Sequence, residues 1–273
     1  MARILAISSQ VARGHVGLSA GVPVLQALGH EVWALPTIIL SNHPGHPHVA
    51  GSRIEPAVLE RMVDALDRNG WLASVDAILS GYLPTPDHVH FVGRVVRRQK
   101  ARTQPLFVCD PVLGDEPKGV YLDVHAATAV RHELLPLADV TTPNRFELGW
   151  LAGAPVDSLS AVAAAARNLG SADVYVTSAD LQGGRLLNLH VTAERVLGCG
   201  VAALATAPHG TGDLYAALLL GHLLHGADRA HAMARAAAGV AVALDRTQGE
   251  DELQLAGHLA AVAHAAPAEV VAV

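Results

Sequence analysis

The chain has 273 residues, of which 51% are hydrophobic and 16% charged, and its formal net charge is −6. A chain of this length and composition can bury a substantial core and is not a long disordered segment. The negative charge argues against a broad nucleic-acid-binding surface, and no window approaches the roughly 18 apolar residues of a membrane span. The first residues enter a strand without an export segment, so we expect a cytoplasmic protein.

Cysteines and histidines give little sign of a metal site. Cys109 and Cys199 are too few for a disulfide framework and lack metal-site spacing. The densest histidine group is His43, His46 and His48, whose interleaved prolines and glycine predict a loop, with zinc binding as the alternative. The basic run 94–102 follows helical spacing and is typical of a solvated helix face.

Short apolar runs alternate with amphipathic segments along the chain. Strands are predicted over 3–9, 31–40, 75–80, 106–109, 139–142 and 173–177, with a hairpin or meander over 183–198. Helices are predicted over 18–28, 56–68, 86–102, 124–135, 144–151 and 158–169, after Asp213, and near 229–245 and 253–265. Pro36 indicates that its strand is at an edge or irregular. This alternation predicts a single α/β domain over 1–273, with a mostly parallel sheet covered by helices on both faces.

Small, polar or acidic residues follow the predicted strands. In open α/β sheets the functional site lies at the carboxyl ends of the strands. Turns also favour these residue types, but their repetition along one edge predicts a site there. The strand ends are Ser8-Ser9, Ser80-Gly81-Tyr82, Asp110, Thr142 with Asn144, and Thr177-Ser178.

The segment His209-Gly210-Thr211-Gly212-Asp213 stands directly before a strongly apolar helix. A helix start carries unpaired N–H groups and partial positive charge, and glycines let an anion approach the backbone closely. Asp213 would then lie within a turn of a bound phosphate, where a carboxylate can act as a base or face a metal ion. The alternative is an ordinary turn in which Asp213 caps the helix.

These segments, in this order, resemble the pyridoxal kinases of the ribokinase-like superfamily over most of the chain. The segments that carry the resemblance are Ser9 with Arg13-Gly-His-Val-Gly17, Ser41-Asn-His-Pro-Gly45, Gly81-Tyr82, Asp110-Pro-Val-Leu-Gly-Asp115, Thr142-Pro-Asn-Arg-Phe-Glu147, Thr177-Ser178 and Gly210-Thr-Gly-Asp213. The resemblance implies a three-layer ribokinase-like fold and ATP-dependent phosphorylation of the 5′-hydroxymethyl group of pyridoxal. It also implies that Asp213 is the catalytic base and that Gly210, Thr211 and Gly212 form the anion hole.

On the nucleotide side, the resemblance assigns Asn144 and Glu147 to the Mg–ATP site and places Asp110 and Asp115 near the phosphates and the metal. Three carboxylates beside a polyphosphate require cations between them, and Mg²⁺ fits this oxygen-rich setting. Glu147 could instead be a first-turn helix carboxylate stabilised by the helix dipole. The hydroxyl residues Thr142, Thr177 and Ser178 match positions that contact nucleotide phosphates, with local turn bonds as the alternative.

On the substrate side, Ser9 matches a residue that hydrogen-bonds the pyridine ring. Val16 and Tyr82 match residues that pack around that ring, and His43 matches a histidine near the substrate. The chain departs from the familiar pattern after His43, because threonine is replaced by Pro44, and later tyrosine and tryptophan positions hold His46 and Val49. Proline lacks both the hydroxyl and the backbone N–H, so His46 or His48 is a candidate replacement for the lost contact.

Several further features follow from the resemblance alone. We expect a homodimer, and we expect the loop 116–121 to order over the site when ligands bind. Whether a monovalent cation assists stays open, as does the base specificity for the nucleotide, for which the segment 199–208 is a candidate. The alternatives are a hydroxymethylpyrimidine kinase of the same superfamily and a non-catalytic pyridoxal-binding protein. A sugar kinase is disfavoured because the sequence shows no β-lid insertion. A NAD-dependent enzyme is disfavoured because no Gly-x-Gly-x-x-Gly follows the first strand.

Overall fold

The computed structural model describes residues 1–182, 184–202 and 208–273. Within these ranges, ten strands form one sheet in the order β12-β11-β10-β9-β8-β5-β4-β1-β2-β3, and β6 and β7 form a small hairpin. The strands are β1 Arg3–Val11, β2 Glu31–Leu40, β3 Gly51–Arg53, β4 Ala77–Ser80, β5 Leu106–Cys109, β6 Gly114–Asp115, β7 Gly119–Val120, β8 Val140–Thr141, β9 Asp173–Gln182, β10 Arg185–Val191, β11 Val196–Ala202 and β12 Val270–Ala272.

The same part of the chain contains nine α-helices. They are α1 Leu18–Ala27, α2 Pro56–Arg68, α3 Pro86–Lys100, α4 Val124–Ala129, α5 Arg145–Ala152, α6 Leu159–Arg167, α7 Thr211–Leu224, α8 Arg229–Arg246 and α9 Leu259–Ala263. Proline occupies the first position of α2 and α3, where its missing N–H costs nothing.

Six strands at the centre of the sheet, β2, β1, β4, β5, β8 and β9, run parallel to one another. The strand β3 and the run β10 to β12 pair antiparallel at the two ends. The register of β1 against β2 shifts between Ser8 and Gln10, opposite Pro36. The irregularity expected from that proline is therefore confirmed, since proline has no N–H to give to the ladder.

Two hydrophobic cores lie on opposite faces of this sheet. On one face Leu59 of α2, Phe91 of α3 and Leu148 of α5 pack against Ile7 and Phe107. On the other face α1, α7, α8 and α9 contribute a second buried cluster. The predicted three-layer α/β fold is confirmed. Because the strands are parallel, β4, β5 and β8 end at one rim of the sheet. The strands β1 and β9 run further than predicted and reach this rim with Ser8-Ser9 and Thr177-Ser178, which lie inside them.

Two predicted helices are wrong in extent. The helix expected over 124–135 is α4 only as far as Ala129, and a wider turn over 130–134 and a tighter one over 135–137, which contains Pro136, complete the segment. The helix expected over 253–265 is reduced to α9, because the residues at its predicted start contact the turn at Arg13–His15 and are not helical. The strand β12 was not predicted.

The basic run 94–102 covers the end of α3 and the two residues after it, and it faces acidic residues of α2. Arg94 contacts Glu60, Arg98 contacts Asp64, and Arg102 contacts Asp67, at 2.8, 3.2 and 2.7 Å. This half-exposed ladder accounts for charges that sequence alone assigned to a solvated face. Among the described residues, none of the helices has both the length and the apolar character that crossing a bilayer requires.

Candidate active site

The turn before α7 is shaped by Gly210, which has a φ of 95°. A side chain there would overlap the carbonyl oxygen of His15 and press on Val16, so the left-handed turn and the close approach both require glycine. Leu214 donates its N–H to the Gly210 carbonyl at 2.9 Å, which fixes the start of the helix. A Cβ added to Gly212 would meet nothing within 4 Å, so the space beyond the helix start is open to a ligand.

Asp213 lies in the first turn of α7 and faces Asp110 at the end of β5 across a small cavity. Burial raises the pKa of the Asp213 carboxyl to about 6, although the Gly17 N–H donates to the carboxylate and favours its charged form. Burial, and then the neighbouring Asp213 carboxylate, raise the pKa of Asp110 to about 7. The lining of the cavity combines polar and apolar residues and includes Ser8, Gly17, Gly81, Asp110, Asp213 and Ala216.

Thr142 and Asp110 are joined by a buried hydrogen bond of 2.6 Å, in which the Thr142 hydroxyl donates to Oδ1 of the carboxylate. The bond connects the ends of β5 and β8. Thr142 thus holds the Asp110 carboxylate in the site, and the sequence-based alternative of a purely local turn bond is wrong for this residue.

Asn144 and Glu147 form a capping box at the start of α5. The Asn144 side chain accepts from the Glu147 N–H, and the Glu147 Oε2 accepts from the Asn144 N–H, both at 2.9 Å. The other oxygen of Glu147 accepts from Leu113 at 2.9 Å and from Gly114 at 3.4 Å. Burial, and then Asp110, raise the pKa of Glu147 to about 8 against these donors. The carboxylate therefore fixes the base of the β6–β7 hairpin.

Asp115 ends the first strand of that hairpin, and its Oδ1 is buried without a hydrogen-bond partner among the described residues. A buried carboxylate oxygen without a donor suits a cation. In the described ranges, no three His, Cys, Asp or Glu side chains are grouped closely enough to hold a metal by themselves. The oxygens of Glu147 already accept backbone N–H groups, so of the three predicted metal carboxylates Asp115 and Asp110 have the freer oxygens.

Thr177 and Ser178 lie on the same rim, beside Asn144. The Thr177 N–H donates to the Pro143 carbonyl at 2.9 Å, and Thr177 forms an isolated parallel bridge with Asn144. Ser178 is exposed, has a φ of 50°, and donates its N–H to Asn188 at 3.0 Å. A positive φ on serine is a strained conformation of the kind that collects at functional sites.

The predicted substrate residues lie on the β1 and β4 side of Asp213. Val16 is buried next to Gly210, and Tyr82 is half-buried after β4. Ser9 lies against Gly17, where a side chain at the glycine would overlap the serine. The sequence placed Ser8 at the end of the first strand but not among the substrate residues; it is buried and accepts the Tyr82 N–H at 3.0 Å.

His43 stacks on His209, with ring centroids 3.6 Å apart and planes inclined by 22°. Its Nδ1 accepts the Gly45 N–H at 3.0 Å, and burial lowers the pKa of His43 to about 4. The His46 ring contacts Glu252, at 2.6 Å between Nε2 and Oε1. His46 thus contacts another part of the protein. The histidines near Pro44 that remain as replacements for the lost substrate contact are His48 and the stacked pair of His43 and His209. Neither His209 nor Glu252 was predicted.

A three-layer α/β fold, with a half-buried carboxylate in the first turn of a helix behind a glycine turn, defines a small-molecule kinase of ribokinase-like architecture. The chain belongs to the phosphomethylpyrimidine kinase family, whose sequence model matches residues 14–256.

The chain is 39% identical over 262 residues to a pyridoxal kinase of Rubrobacter xylanophilus, covering 92% of this chain and 90% of the relative. It is 41% identical over 265 residues to a pyridoxine/pyridoxal/pyridoxamine kinase of Bordetella bronchiseptica, covering 94% of each chain. The fold matches the pyridoxal kinase of Leishmania donovani in complex with ADP and pyridoxamine with a TM-score of 0.92 at 28% identity, covering all of both chains.

Proposed function

We propose that this protein is a kinase that transfers the γ-phosphoryl group of ATP to the 5′-hydroxymethyl group of pyridoxal. The observation that carries the proposal is Asp213, a half-buried carboxylate with a raised pKa beside an open helix start. Its relatives support the substrate, since they are named pyridoxal kinases and one solved neighbour holds ADP with pyridoxamine.

In the proposed reaction, the substrate hydroxyl oxygen attacks the γ-phosphorus and the bond to the β–γ bridging oxygen breaks, releasing ADP. The hydroxyl proton passes to Asp213, whose raised pKa makes it a better proton acceptor than an exposed aspartate. The N–H groups of Gly210, Thr211 and Gly212 at the start of α7 stabilise the negative charge on the transferring oxygens.

The nucleotide is assigned to the edge formed by β5, β8 and β9. Thr142, Asn144, Thr177 and Ser178 would face its phosphates, and Thr142 also holds Asp110 in place. The candidate segment for base recognition is 199–208, of which 203–207 lie outside the described residues.

Mg²⁺ fits this site because Asp115 has a buried oxygen that no described residue contacts by a hydrogen bond, and because the Asp110 carboxylate belongs to the same site. Bound there, the ion would neutralise the polyphosphate and polarise the transferring group. Glu147 contributes by fixing the backbone of residues 113 and 114 from which Asp115 extends. One or two carboxylates with phosphate and water ligands is the usual Mg²⁺ arrangement, so three protein ligands are not required.

The substrate ring is assigned to the space bounded by Ser9, Val16, His43 and Tyr82. A small aromatic ring needs an apolar wall with a few polar contacts, which these residues supply. The family description names a kinase of a related pyrimidine, phosphomethylpyrimidine. The alternative substrate is a hydroxymethylpyrimidine, which the same base and anion hole would serve. A non-catalytic binding protein is disfavoured by the intact Asp213 and glycine turn.

The test is phosphorylation by purified protein with ATP and Mg²⁺, comparing pyridoxal, pyridoxine, pyridoxamine and hydroxymethylpyrimidine. Pyridoxal should be the best acceptor, and Asp213→Asn should lower kcat by about 10² or more, the scale of a lost general base. Preferential transfer to hydroxymethylpyrimidine would move the substrate assignment, and binding of pyridoxal without any transfer would refute kinase function.

Other expectations stay predictions. They are the single domain over 1–273, the homodimer, the cytoplasmic location, a role for a monovalent cation, and ordering of the loop 116–121 on ligand binding.

A further inference from the structure

Residues 251–253 lie along the turn formed by residues 13–15, near the substrate side of the site. Arg13 Nη2 donates to both oxygens of Asp251 at 2.9 and 3.1 Å. The His15 Nδ1 is 2.6 Å from the carbonyl oxygen of Leu253. Residues 251 and 253 thus meet residues 13 and 15, and this contact lies where the sequence predicted the start of a helix over 253–265.

Glu252, between these two contacts, is a buried carboxylate whose side chain is only 5% exposed. It lies against Gly14, which has a φ of 97°, and a Cβ at that glycine would be 2.6 Å from Oε2 of the glutamate. Arg13 Nη1 is 3.7 Å from Oε1. The carboxylate fits here because residue 14 has no side chain.

The same carboxylate reaches the loop 43–48, since His46 Nε2 is 2.6 Å from Oε1 of Glu252. The other end of this loop is held by the stack of His43 on His209, which directly precedes the glycine turn of α7. Two side-chain contacts therefore tie the loop to the rest of the substrate side, and Glu252 is the member that also contacts the turn at Gly14.

We infer that Glu252 and His46 are positioning residues that hold the loop 43–48 and the 13–16 turn in the arrangement that binds the substrate ring. The inference rests on the proposed function, in which His43 and Val16 lie at the two sides of that ring. It also assigns a role to the departure at Pro44, because a loop that lost a hydroxyl and an N–H is anchored instead through His46. Neither residue touches the reacting atoms.

The expected effect is on substrate affinity and not on phosphoryl transfer, since Asp213 and the nucleotide edge are held by other contacts. Removing one partner of a buried charged hydrogen bond leaves the other unpaired, so the loop should lose its position. Glu252→Ala should raise KM for pyridoxal about tenfold, with kcat and KM for ATP changed by less than about twofold. Glu252→Gln should have a smaller effect, because its amide oxygen still accepts from His46.

The experiment compares Glu252→Ala, Glu252→Gln, His46→Ala and the double variant with Glu250→Ala, an exposed residue of the same segment. Hydrogen–deuterium exchange of residues 41–50 in the protein without ligands is the second readout. Exchange there should become faster in Glu252→Ala and His46→Ala and stay unchanged in Glu250→Ala. Since the two residues act through one contact, the double variant should be no worse than the poorer single variant.

An unchanged KM for pyridoxal in Glu252→Ala, a KM effect without faster exchange, or additive effects of the two substitutions would each overturn the inference. If Glu252→Ala does not fold, Glu252→Gln and His46→Ala decide the matter, since His46 is part-exposed. Wild-type protein that transfers nothing to pyridoxal refutes the proposed function instead. The positioning role is then judged on exchange and on the affinity for pyridoxal without ATP, and equal values in wild type and His46→Ala would refute it.

Discussion

Asp213 owes its proton affinity to its surroundings. It lies in the first turn of a helix, where the dipole and the Gly17 N–H favour a charged carboxylate, yet burial outweighs both and raises its pKa to about 6. A base with this pKa is deprotonated at neutral pH and still accepts a proton readily. Asp110, with a pKa raised to about 7 by burial and by Asp213, keeps the local charge low until a cation arrives.

The pH dependence of the proposed reaction follows from Asp213. Because only the ionised carboxylate can accept the hydroxyl proton, kcat/KM for pyridoxal should fall below about pH 6, tenfold for each further unit. The measurement is a pH–rate profile at saturating ATP and Mg²⁺. The Asp213→Asn variant is the control for titration of ATP and substrate, and its residual rate should lack this limb. An equal limb in both proteins would assign the titration elsewhere.

At the scale of elements, α5 is tied to the β6–β7 hairpin through one glutamate. Glu147 accepts three backbone N–H groups, from Leu113, Gly114 and Asn144, and the Asn144 amide donates to the Gly114 carbonyl at 2.9 Å. The hairpin that carries Asp115 is therefore fixed at its base from a helix start. The side chains that cap α5 therefore also hold the hairpin that carries Asp115.

Glu147→Gln tests this coupling. The amide keeps the size of the side chain but turns an NH₂ group toward at least one N–H donor, so one or more of the three bonds is lost. The free energy of unfolding should fall by about 1–3 kcal/mol, measured by urea denaturation. Glu116→Gln is the matched control, since its exposed pair with Arg145 is worth at most about 1 kcal/mol. Equal effects of the two substitutions would mean that Glu147 holds nothing in place.

The sequence predicted those elements and site residues whose signals lie in neighbouring residues of the chain. Strand patterns, the prolines that begin α2 and α3, and the glycine turn before α7 are local, and the corresponding elements were predicted correctly. The helix expected over 253–265 begins later because Asp251, just before it, and Leu253, its first residue, contact Arg13 and His15, which are distant in the chain. His209 and Glu252 were missed for the same reason, since each acquires its role from a partner on another segment. Pattern and spacing do not encode such contacts.

In the molecule as a whole, several carboxyl groups lie together at the rim of the sheet, where the folded state favours their neutral, protonated forms. Burial raises the pKa of Asp213 to about 6, of Asp110 to about 7 and of Glu147 to about 8. The site is thus assembled at a cost in stability, which bound cations are expected to offset. Buried histidines have the opposite effect on the pH dependence of stability at lower pH, since burial lowers the pKa of His43 and His222 to about 4.

Thermal stability should therefore fall as pH rises from about 7 to about 8.5. In this range the unfolded carboxyls are already ionised while Asp110 and Glu147 still hold protons in the folded protein, so the native state binds more protons and loses stability with each increment of pH. The histidines with lowered pKa are mostly neutral in both states here. Cys109, whose pKa burial raises to about 12, contributes with the same sign. Calorimetry at constant ionic strength measures the slope of Tm against pH.

This slope should be flatter in Glu147→Gln, which removes the most strongly shifted carboxyl. It should also be flatter in wild type with added Mg²⁺, which favours the ionised forms. A Tm that is constant or rising over this range would show that these carboxyls are charged in the folded protein already at pH 7.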